Sequence, residues 1–98
     1  MLIEFDPLKN LVNLAKHGLS LTKAMDLDWD RGWLEPDRRR DYGEERVSAL
    51  VPLGEDLYFL AFVVRGDARR IITLRRANRR ECRRYEQHEE TNASPDAD

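Results

Sequence analysis

Cysteine is almost missing from this chain. Cys82 stands alone, which excludes an internal disulfide framework. Histidine is scarce as well: His17 and His88 are far apart in sequence, so neither a structural zinc site nor another metal or cofactor is expected. Cys82 therefore reads as a small buried apolar residue rather than a nucleophile. No apolar run approaches the roughly 20 residues that span a bilayer, so no membrane partner is expected. The opening MLIEFDP lacks the basic start and long apolar stretch of a signal peptide. The expected setting is a reducing cytoplasm.

Arginine is abundant, and it is concentrated in one place. Ala61–Tyr85 holds nine arginines against two acids, a local charge of +7, while the rest of the chain sums to −9. The net charge of −2 and pI near 5.7 therefore hide a basic segment on an acidic body. Within that segment Leu57–Val64 is a nearly unbroken apolar run, as in a strand covered on both faces. Gly66-Asp67 forms a two-residue hairpin turn, and Arg69–Arg76 is the return strand. Asn78, followed three residues later by Glu81, has capping-box spacing and opens a helix from Arg79 to about Glu89. Its first turn carries cations that the helix dipole disfavours. An anionic ligand or acidic side chains should offset them.

The remaining elements follow from local signals. Ile3 and Phe5 alternate with Glu4 in a short strand. Asp6-Pro7 starts a helix, and Leu8, Leu11, Val12 and Ala15, widened by Leu14, form its apolar stripe. Gly18 ends it. Ser20 caps a second helix through Leu27, packed closely on the first. Trp29 and Trp33 read as anchors in the core or at its rim. Trp33–Glu35 is an edge strand stopped by Pro36, Arg38–Arg40 a solvated turn, and Glu45–Val51 a strand. The domain spans residues 1–90, and the acidic residues 91–98 are expected to be disordered.

The order β-α-α-β-β-β-β-α implies an α+β domain: an antiparallel meander with two N-terminal helices and a C-terminal helix, the helices covering one face. Strand parity assigns the other face. Ile72 and Leu74 point to the helices, while Ile71, Thr73 and Arg75 point outward. A two-residue turn sets Tyr58 opposite Arg75. The open face then carries Arg46, Ser48, Tyr58, Thr73 and Arg75. That set suits phosphate binding with a stacked base, or is simply a charged face turned to water.

Over residues 3–86 the chain resembles the BrnT family, small ribonuclease toxins of bacterial type II toxin–antitoxin modules with a RelE-like fold. The resemblance rests on an ordered set: Phe5-Asp6-Pro7, Lys9, Asn13, Lys16-His17-Gly18, Gly43-Glu44-Glu45-Arg46, Arg65-Gly66-Asp67, Arg70-Ile71-Ile72, Arg75-Arg76-Ala77, Arg79/Arg80-Glu81 and Tyr85. It implies RNA as substrate, arrest of translation, and neutralisation by a BrnA-like antitoxin encoded alongside. It also implies repression of the operon by the complex, with the antitoxin contacting operator DNA.

Metal-independent RNA cleavage uses the 2′-hydroxyl as nucleophile. It needs a base, an acid and cations around the phosphate. Arg75 and Arg46 are the candidate clamp because of their planar forks, with Arg65 third. His17 is a candidate acid or base, or else a residue that satisfies the last helical carbonyls. Glu45 is either a base or the partner of a nearby cation. Tyr58 either stacks a base or packs in the sheet. Arg79, Arg80 and Arg83 either track RNA phosphates or meet acidic antitoxin side chains. A noncatalytic nucleic-acid- or protein-binding module, and a degenerate toxin kept for its antitoxin complex, are the competing readings.

Overall fold

The computed structural model describes residues 1–38 and 43–93. Its centre is a five-stranded sheet in the order β1-β5-β4-β3-β2. The strands are β1 (Leu2–Glu4), β2 (Trp33–Pro36), β3 (Arg46–Leu53), β4 (Asp56–Arg65) and β5 (Ala68–Arg76). Strands β2 to β5 are antiparallel, and short turns join β3 to β4 and β4 to β5. The expected all-antiparallel meander fails at β1, which crosses to the far side of β5 and pairs with it in parallel. The architecture is α+β.

One irregularity decides which side chains face where. Phe62 pairs with Ile71, but Ala61 pairs with Thr73, so Ile72 is an extra residue in β5. A bulge of this kind reverses the parity of the strand beyond it. Ile71, expected on the outside, is 0% exposed in the core beside Leu74, and Ile72 is only half-buried. The same slip sets Tyr58 opposite Arg76 and puts Phe59 opposite Arg75. Tyr58 therefore turns inward and is 2% exposed.

The core lies under the inner face: Val47, Ala49, Val51, Leu60, Phe62, Ile71 and Leu74 against Leu21, Ala24 and Leu27. The latter three belong to the segment after Ser20, which is a 3₁₀ helix, Leu21–Asp26, rather than the expected α-helix. A second 3₁₀ turn, Trp29–Arg31, brings the Trp29 ring edge-on to Phe62 at 5.7 Å. The Trp29 indole N–H donates to the Ala24 carbonyl at 2.7 Å.

Helix α1 (Pro7–His17) begins and ends as its sequence signals say. The Asp6 carboxylate accepts from the Leu8 N–H at 2.9 Å, and Gly18, at φ +71°, donates its N–H to the Leu14 carbonyl. Its orientation is the reverse of the expected one. Leu8, Leu11 and Val12 are 70%, 62% and 61% exposed, whereas Asn13 is 4% exposed. The helix lies along the edge of β5, where β1 has already ended, and an edge has backbone groups to satisfy. Asn13 bonds the N–H and carbonyl of Leu74, and Asn10 accepts from the Leu21 N–H and Ser20 hydroxyl. Amides serve that edge; leucines do not.

Helix α2 (Arg79–Ala93) opens with the capping box: the Glu81 N–H donates to Asn78 at 2.8 Å, and the Asn78 N–H donates to Glu81 at 2.9 Å. It runs beyond Glu89 to Ala93, and residues 94–98 lie outside the described residues. It touches the second 3₁₀ turn, where the buried Tyr85 hydroxyl donates to the Arg31 carbonyl at 2.7 Å, but its other contacts are with the outer face. Arg75, Glu35 and Trp33, all on the outer face by register, meet Glu81, Arg84 and His88 of α2. The outer face is thus partly covered.

Candidate functional site

The ladder arranges the outer face in rows. Arg46, Val63, Arg70 and Glu4 form one cross-strand row, and Trp33, Leu50, Phe59 and Arg75 another. Between them runs Glu35, Ser48, Ala61, Thr73. Ser48, Ala61 and Thr73 are short, and two of them carry hydroxyls, so they form a trough between rows that each carry arginine, closed at the β2 end by the Glu35–Arg84 pair. At the Thr73 end the trough meets a hollow of about 180 Å³ between α1 and β5, lined by Lys9, Asn13, Lys16, His17, Ile72 and Thr73 among others.

His17 sits in this hollow half-buried, and its ring makes no hydrogen bond with a described residue. The last turn is capped instead by the Gly18 N–H. An imidazole can accept or donate a proton, and two ammonium groups beside it favour an anionic guest. Thr73 belongs to the outward set expected from strand parity, whereas Lys9 and Lys16 carry no site role in the sequence reading. The usable signal was the Lys9–Asn13–Lys16 spacing, which places one amide and two cations on a single helical face.

The arginines are less available than their number suggests. Arg65, Arg70, Arg75, Arg76 and Arg84 pair with Glu44, Glu4, Glu81, Asp56 and Glu35. The Arg69 guanidinium lies over Trp29 at 4.8 Å and Phe62 at 5.3 Å. The acidic body thus neutralises much of the basic segment from within. Arg79, Arg80 and Arg83 are exposed on α2 and make no ion pair with the described residues.

The candidate residues consequently separate. Arg75 lies on the outer face as expected, but both its terminal nitrogens are held by Glu81, at 2.9 and 3.0 Å, and its guanidinium covers Phe59 at 4.3 Å. Burial pushes the Glu81 carboxyl up, yet the hydrogen bonds from Arg75 and Asn78 and the charges of Arg75 and Arg84 outweigh it and hold it below its ordinary range. Arg46 borders the trough. Arg65 lies at the hairpin end beside Glu44, about 20 Å along the strands from Arg75. Glu45 is exposed just before β3 and pairs with none of the described cations. The placement of Tyr58 on the open face is corrected: its ring is enclosed in the core, with the cations of Lys23 and Arg76 over it at 5.2 and 5.6 Å, and cannot stack on a base. Cys82 is half-buried, and His88 is an ordered imidazole that stacks on Trp33 at 4.0 Å and 7°. Arg39 and Arg40 lie outside the described residues.

A family model described as the ribonuclease toxin BrnT of type II toxin–antitoxin systems matches residues 5–81, most of the chain. The chain belongs to the BrnT family of ribonuclease toxins. A crystal structure of the Brucella abortus ribonuclease toxin BrnT superposes with a TM-score of 0.63 at 26% identity, covering 81% of this chain and 99% of that one. No curated protein matches. The matched region contains β1's exit, α1, the whole trough and the capping box, so both the hollow and the arginine rows fall within it. A type II toxin implies RNA as target and an antitoxin as partner. Among the described residues no helix is long and apolar enough to cross a membrane.

Proposed function

We propose that the chain is an RNA endonuclease of RelE-like fold that acts in the cytoplasm. It cuts RNA without a metal, inhibits translation, and is neutralised by a BrnA-like antitoxin through which the complex reaches operator DNA. The observation that carries this reading is the trough of Ser48, Ala61 and Thr73, bordered by arginine rows and ending at His17, Lys9 and Lys16. A phosphodiester laid along it meets cations on both sides. The 2′-oxygen attacks the adjoining phosphorus as its proton passes to His17, the bond from phosphorus to the 5′-oxygen breaks, and the departing 5′-oxygen takes a proton from water. The products are a 2′,3′-cyclic phosphate and a free 5′-hydroxyl. Arg46 stabilises the phosphorane as a preorganised charge, with Arg70, held by Glu4, beside it in the same row. Arg75 fixes the first turn of α2 through Glu81, so that Arg79, Arg80 and Arg83 hold the flanking strand electrostatically.

The test is incubation of the purified chain with RNA in EDTA. Cleavage leaving 2′,3′-cyclic ends supports the reading, as does growth arrest on expression without a partner. Intact RNA with a folded, RNA-binding protein would establish the noncatalytic alternative.

A further inference from the structure

The most unusual surface of the molecule is the outward side of α1. At about 100° per residue, Leu8, Leu11 and Ala15 fall on the side opposite Asn13, flanked by Leu14 and by Val12, which also lines the hollow, and all five are exposed. A stripe of this length is what an amphipathic helix normally buries. Here the polar side is used on the sheet edge, and none of the described residues covers the apolar side. Exposed apolar patches of this kind mark interaction surfaces.

We infer that this stripe is the docking surface for an amphipathic helix of the antitoxin, apolar along its centre and acidic along one flank. The inference deepens the toxin–antitoxin reading and rests on it for the partner. Charge selects the occupant. Lys9 and Lys16 border the stripe on the side of the hollow, and α1 contains no Asp or Glu. A second copy pairing through its own α1 would bring lysines toward lysines. A partner helix with carboxylates on one flank would meet Lys9 and Lys16 while its apolar residues cover Leu8 and Leu11, the usual helix-on-helix mode of recognition. Its acidic flank would then stand at the mouth of the hollow that holds His17. One contact would both bind the toxin and screen its anion site.

The experiment uses the full chain and the purified product of the neighbouring small open reading frame as probe. Leu8→Glu/Leu11→Gln keeps helix-forming residues and touches nothing in the trough. Its melting temperature and RNA cleavage should stay at wild-type level while affinity for the probe falls about 30-fold or more, the scale of losing a central interface contact. In cells, the probe should no longer rescue growth from the variant. Unchanged affinity overturns the inference, as does a wild-type chain that does not bind the probe. A wild-type dimer that the substitutions convert to a monomer, with probe binding intact, gives the surface to self-association instead. Because binding is read separately from cleavage, an inactive wild-type chain would defeat the ribonuclease reading without touching this one.

Discussion

Asn13 and Leu74 exchange two hydrogen bonds across the edge of the sheet: the Asn13 amide donates to the Leu74 carbonyl at 2.8 Å and accepts from the Leu74 N–H at 3.1 Å. The side chain takes the place that a further strand would fill, and also donates to the Leu19 carbonyl at 2.9 Å. Asn13→Ala leaves buried backbone groups unpaired and should cost about 2–4 kcal/mol. Leu11→Ala, on the opposite side of the same helix, should cost within about 0.5 kcal/mol. Urea denaturation of both variants checks the order. A greater loss at Leu11 would mean that the helix is packed by its apolar side after all.

The bulge makes a second comparison. Ile71→Asp places a carboxylate in the closed core and should unfold the domain, at a cost of several kcal/mol. Ile72→Asp, at the half-buried extra residue, should leave a cooperative melt. Parity read along the unbroken strand gives the opposite order, so the two melts locate the bulge.

Glu81 supplies a pH-dependent term. Its carboxyl is held below the ordinary range in the folded chain, so its contribution is present above the unfolded carboxylate pKa of about 4.3 and is lost as pH falls through the lower, folded value. Glu81→Gln should cost about 1 kcal/mol at neutral pH, the scale of a weakened cap. The gap from wild type should close with acidification. A gap constant from pH 7 to pH 3 would show that the Arg75–Glu81 pair carries none of it.

Arg83→Ala should weaken RNA binding, with the slope of log affinity against log salt reduced by about one, and should change saturated single-turnover cleavage little. Filter binding across a salt series measures the first effect. An unchanged slope would take Arg83 off the RNA path.

The sequence was most informative where structure is local. Asp6, Pro7 and Gly18 bound α1, Asn78 and Glu81 close their capping box, and Gly66-Asp67 turns the β4–β5 hairpin, because each acts on backbone groups a few residues away. Arg75 was placed on the outer face although the bulge was not foreseen: the shift that carried Tyr58 inward carried Phe59, not Arg75, across. Two adjacent isoleucines give no hint which one is extra. The stripe of α1 was legible as a pattern, but its direction was not. That depends on β1 ending short of Leu74, a pairing more than sixty residues away in sequence. The ion pairs that occupy Arg65, Arg75 and Arg84 are equally non-local or specific to the folded turn, so counting arginines overstated the free charge.

The proposed reaction places the catalytic end of the trough in the hollow between α1 and β5, with His17 as its proton-transfer group. The measurement is single-turnover cleavage of RNA in EDTA at saturating enzyme, comparing wild type with His17→Asn, alongside their thermal melts. His17→Asn should lower the rate by about 10²–10⁴-fold with the melt unchanged. A folded His17→Asn protein that cleaves at the wild-type rate would contradict that assignment.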